Sequence, residues 1–125
     1  MKWLLIPTLV YSLFGCETTT PPVAAEPAAV ALPAGMTRVM DTSQVCMVND
    51  QFMGKPQIPV EVQGRTYYGC CAMCKDKLNN QPESRTSLDP VTGETVDKST
   101  AVIVQDRAGK VLYFASEATL QRFRG

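Results

Sequence analysis

The sequence predicts an α+β fold built from two tandem hairpin-plus-helix units packed as one small domain. Three observations predict it. Apolar and polar residues alternate along a strand at Pro59–Gln63, and Ala101–Gln105 is the corresponding strand of the second unit. Each run meets a turn signal and returns as a β-branched, aromatic strand. Beyond each returning strand the apolar spacing becomes helical.

Taken in chain order, residues 1–15 have the make-up of a secretory signal. Lys2 precedes an apolar run from Trp3 to Phe14, broken only by Pro7, Thr8 and Ser12. That run is too short to span a bilayer stably. Its end, Leu13-Phe14-Gly15-Cys16, resembles the bacterial lipobox. The resemblance implies that Cys16 carries the lipid and becomes the first mature residue, anchoring the protein to a membrane of the bacterial cell envelope. Glu17 at the next position implies the outer membrane, with the protein facing the periplasm. Residues 16–35 are rich in Thr, Pro and Ala, with few large apolar groups. Such a composition predicts an extended, disordered tether.

The folded part divides into a cysteine-bearing unit, residues 36–88, and a cysteine-free unit, residues 89–125. In the first, Gln63-Gly64-Arg65 is the turn between strands, and Thr66-Tyr67-Tyr68 is the return. A helix follows from Cys71 to about Asn79, with Cys71, Cys74 and Leu78 at helical intervals and Pro82 stopping it. Leu88-Asp89-Pro90-Val91 joins the units, Pro90 setting the bend. In the second, Asp106–Gly109 is the turn and Lys110–Phe114 the returning strand. Ser116 is a helix N-cap, Glu117 lies in the first turn, and Leu120 and Phe123 form the apolar stripe. Tyr67, Tyr68, Tyr113 and Phe114 are read as hairpin packing.

Laid over each other, the units place Cys46 on Thr92, Cys70 on Ala115 and Cys74 on Thr119. One unit holds thiols where the other has none. The chain has no histidine, which excludes imidazole metal sites and histidine-dependent triads. It carries 12 basic and 12 acidic residues with no basic cluster, a balance that argues against nucleic acid as a partner. Asp89, Glu94, Asp97 and Asp106 fall in turns and loops where acids are usually solvated, with Asp89 and Asp97 able to cap local structure. No phosphate loop or serine nucleophile elbow is present, so the chain is read as a binding protein and not an enzyme.

Thiolates suit Zn(II), Cu(I) or iron–sulfur chemistry. Three readings of the cysteines compete. Metal coordination would use Cys46, Cys70 and Cys74, with Cys71, Met47 and Met73 as further candidate ligands. A structural disulfide would pair Cys46 with Cys70, Cys71 or Cys74, in an envelope protein whose surface docks a neighbour. A redox dithiol would use Cys71-Ala72-Met73-Cys74 at a helix start. Met36, Met40, Met47, Met53 and Met73 are numerous, and thioether sulfur favours Cu(I), although methionine also fills gaps in small cores.

A first cysteine, a hairpin, and then Tyr67-Tyr68-Gly69-Cys70-Cys71-Ala72-Met73-Cys74 resembles the TRASH/YHS family of small metal-binding domains. Asp89-Pro90-Val91-Thr92-Gly93 resembles that family's opening, with threonine in place of cysteine. The similarity runs from about Gln44 to Phe123. It implies treble-clef-like units and the sensing, trafficking or resistance of copper or related metals. Ligand roles carry over to Cys46, Cys70 and Cys74 but not to Thr92, Ala115 and Thr119. The expected cofactor is one soft metal ion, Cu(I) or Zn(II). The expected partners are the membrane, through the anchor, and a metal transporter or another metal-binding protein.

Overall fold

The computed structural model describes residues 32–125. The signal at 1–15, the lipidation site Cys16 and the tether up to residue 31 lie outside the described residues. Among the described residues no helix is long and apolar enough to cross a membrane.

Among the described residues the fold is α+β, with small antiparallel sheets and two α-helices. Strand β1 (Thr37–Arg38) is followed by β2 (Val45–Cys46) and β3 (Gln51–Phe52), which pair as a tight loop-bearing ribbon. Strands β4 (Ile58–Val62) and β5 (Arg65–Gly69) form the first hairpin, with Val60 opposite Tyr67. Its turn residues Gln63 and Gly64 have φ of +52° and +77°. Two positive-φ residues make the turn whose twist suits a hairpin, which is why glycine stands there. Helix α1 (Ala72–Asn80) follows, and a 3₁₀ turn begins at Pro82.

Strands β6 (Thr86–Leu88) and β7 (Thr95–Asp97) pair across the junction between the halves. Strands β8 (Val102–Gln105) and β9 (Val111–Phe114) form the second main hairpin, and helix α2 (Glu117–Arg122) closes it. Ser116 caps α2 as expected, accepting from the Thr119 amide while the Thr119 hydroxyl accepts from the Ser116 amide. A hairpin followed by a helix therefore occurs twice. The short pairs β2–β3 and β6–β7 were not expected. Two- and three-residue strands carry too few residues to display a period of two.

The halves are interleaved. β1, which precedes the cysteines, pairs with β8 to make a three-stranded sheet β1-β8-β9. The principal core joins Val45, Met47, Val60, Tyr67 and Leu78 from the first half to Ile103, Val111 and Tyr113 from the second. A smaller cluster of Val104, Phe114 and Leu120 lies on the opposite face of β8 and collects Leu32, Met36 and Phe123. Phe123 meets Phe114 edge-on at 5.2 Å between ring centroids. Neighbours along β8, Ile103 and Val104, serve different clusters because side chains alternate across a strand.

Candidate metal centre

Three segments deliver sulfur to one point. Cys46 ends β2, Cys70 follows β5, and Cys74 lies in the first turn of α1. Cys74 Sγ is 3.6 Å from Cys70 Sγ and 3.9 Å from Cys46 Sγ. The three sulfurs lie within 4.8 Å of one another. All are free thiols, as is Cys71.

The backbone explains the convergence. The Met47 amide donates to the Tyr68 carbonyl at 2.9 Å, fastening the Cys46 segment alongside β5. Asp50, with φ of +53°, reverses the chain into β3. Gly69 then lets α1 fold back closely, since a Cβ there would meet Cys74 Cβ at 2.8 Å. Only glycine permits that approach.

The dimensions fit an ion. Metal–sulfur bonds of about 2.3 Å give sulfur separations of about 3.8 Å around a tetrahedral centre and about 4.0 Å in a trigonal plane. The two separations from Cys74 agree with either, the Cys46–Cys70 pair lies within 4.8 Å, and three soft donors with no histidine favour a soft ion.

The thiols differ in acidity. Burial raises the Cys46 thiol, but the amides of Asn49 and Val48, the Cys70 thiol and the Cys70 amide outweigh it, so its pKa falls below the usual range. The Cys70 thiol is raised, chiefly by its hydrogen bond with Cys46. Burial, reinforced by the neighbouring thiols, pushes Cys74 up to about 12. An ion bound here must displace the Cys74 proton, which couples loading to pH.

The remaining candidates are placed as follows. Cys71 stands at the N-cap position of α1 without a side-chain capping bond, is exposed, and puts its sulfur 3.4 Å from Cys74, beside the three-sulfur group. Hydrogen bonding from the Cys74 amide lowers its pKa. Met47 packs its side chain in the principal core. Met73 is 67% exposed on α1. Asn49 approaches Cys70 Sγ to 3.5 Å through its side-chain nitrogen.

The cysteine-free half has a counterpart of different chemistry. Asp89, which the sequence places in a solvated loop, is only 1% exposed. Its carboxylate accepts from the amides of Val91 at 2.7 Å and Thr92 at 3.3 Å, and from Ala115 at 2.8 Å. Burial raises its pKa, but the Ala115 amide, the Thr119 hydroxyl and the Val91 and Thr92 amides prevail and hold it low. The amides of Thr92 and Ala115, two of the three positions aligned with the cysteines, thus meet on one carboxylate.

Sequence reasoning missed Lys98. It is buried at 4% exposure just beyond β7, and its Nζ donates to the Met47 carbonyl at 2.5 Å and to Asp50 Oδ1 at 2.7 Å. It also lies 5.1 Å from the centroid of the Tyr113 ring, a cation–π distance. A buried cation needs such partners. The cysteine-free half thereby braces the loop that follows Cys46. Lys98→Met is expected to cost about 2–3 kcal/mol, the scale of a hydrogen bond to a charged group plus a buried carbonyl left unpaired. Urea unfolding of the two full-length chains checks it; equal midpoints would show that the brace contributes nothing. Asp97 makes a second tie, accepting from Arg65 and from the Tyr67 hydroxyl at 2.9 Å.

No protein-family model, curated protein or solved structure matches this chain.

Proposed function

We propose that the protein is a lipid-anchored envelope protein of TRASH/YHS type that holds one soft metal ion on Cys46, Cys70 and Cys74. It captures, buffers or transfers that ion and performs no turnover. The observation that carries this reading is the meeting of three reduced sulfurs from β2, the end of β5 and the start of α1. Cu(I) is the preferred ion and Zn(II) the next, because thiolate donors suit both. Cys71, exposed and 3.4 Å from Cys74 but outside the three-sulfur group, is the further candidate ligand.

Two buried ligands and one partly exposed ligand suit transfer, since an incoming sulfur can engage the ion at Cys70 before the others release it. The recipient or donor would be a metal transporter or another metal-binding protein. Cys16, lipid-modified, would keep the domain at the outer membrane. The two hairpin–helix units are read as tandem treble-clef-like repeats. The Asp89 carboxylate supports this, accepting in the second unit from the amides at two of the three positions that sulfur occupies in the first.

Elemental analysis of the full-length chain, purified without oxygen, tests the reading. One ion per chain is expected, and its loss in Cys70→Ser. Equal metal content in both proteins would overturn the assignment. Thiol titration of the denatured protein separates metal binding from a stabilising disulfide: Cys46, Cys70, Cys71 and Cys74 should all react.

A further inference from the structure

The surface opens beside the sulfur cluster on the side of Cys70. A cleft of about 550 Å³ is lined by Met53, Lys55, Gln57, Ile58 and Pro59, with Cys70 in its wall. That volume is in the range of small-molecule sites. Cys46 and Cys74 are 0% and 5% exposed, so Cys70 is the ligand through which the cluster meets this cleft.

The lining has a definite chemistry. Among the described residues that line it, Lys55 is the only charged side chain and no acid opposes it. Met53 and Ile58, both exposed, supply thioether and aliphatic surface. Gln57 is buried and donates to the Lys55 carbonyl at 2.8 Å, holding the segment that carries the cation. β4 borders the cleft, yet Pro59 removes a donor from that strand, which disfavours an added strand from a protein partner. A small molecule fits better.

We infer that this cleft receives an anionic low-molecular-weight thiol carrying the soft metal ion, and that the ion passes to the cluster across Cys70. The inference rests on the metal reading above. Lys55 attracts the carrier's carboxylate, and the carrier's sulfur comes to lie beside Cys70. The Cys70 sulfur–metal bond forms as the carrier's sulfur–metal bond breaks. The Cys70 proton leaves on the departing carrier thiol, so no electrons change hands and no oxidant is required.

The test follows anaerobic Cu(I) uptake by the full-length chain from two carriers, the glutathione complex and the complex with uncharged 2-mercaptoethanol. Lys55→Glu is expected to lower the ratio of the two uptake rates by about fivefold, the scale for replacing one exposed ion pair by a repulsion. Lys55→Arg should restore the wild-type ratio. An unchanged ratio in Lys55→Glu, with uptake still occurring, would sink the carrier site while leaving the metal centre standing. No uptake by the wild-type chain from either carrier would sink both.

Discussion

Asp89→Ala is expected to destabilise the fold by about 3–5 kcal/mol, close to the whole margin of a small domain. The carboxylate is buried and takes amide protons from Val91, Thr92 and Ala115. Hydrogen bonds to a charged acceptor are worth about 1.5–3 kcal/mol each, and they do not simply add. Alanine would leave those donors facing a small void that cannot answer them. Asp89→Asn should fall between the two proteins, because its amide group turns a donor toward donors. Acid gives an independent check. The folded pKa of Asp89 lies below the ordinary value of 3.8. Its contribution is therefore complete above the unfolded pKa and fades as pH falls through the folded one. The difference in urea midpoint between wild type and Asp89→Asn should be large at pH 6 and shrink below about pH 4. A difference constant across that range would refute the charged hub.

Metal loading is the second large effect, and it rests on the proposed function. An ion that binds only the folded chain stabilises it by about 4 kcal/mol when its free concentration is a thousandfold above Kd. For a domain of this size that corresponds to a rise in Tm of about 15–30 °C. Much of the effect comes from tying Cys46 to Cys74, since the ion closes a loop through a hairpin and a helix start. Anaerobic thermal scans with and without Cu(I) or Zn(II) measure it. Cys74→Ser should abolish the shift, because it removes the sulfur that stands within 3.9 Å of both other ligands. An equal rise in wild type and Cys74→Ser would place the ion elsewhere.

Legibility in the sequence followed the range of the interaction. The β4–β5 turn, the Ser116 cap and the helical spacing of Cys74 and Leu78 act over a few residues, and all are found where expected. The three cysteines were also legible, since a hairpin that returns the chain can bring an earlier thiol near a later pair. The Asp89 carboxylate was read as a solvated turn acid because its partner at Ala115 is reached only when β9 packs beside the junction. Lys98 gave no signal, as a lysine after a short strand ordinarily faces water.

Composition, period and caps were enough to establish an α+β chain with its thiols at a hairpin and a helix start. They were enough because each depends on backbone preference and neighbours close in sequence. How near the sulfurs approach, which acid is buried, and that Lys98 of one half braces the loop after Cys46 in the other emerged only on packing. Those properties depend on contacts between residues far apart along the chain, whose distances no local pattern encodes.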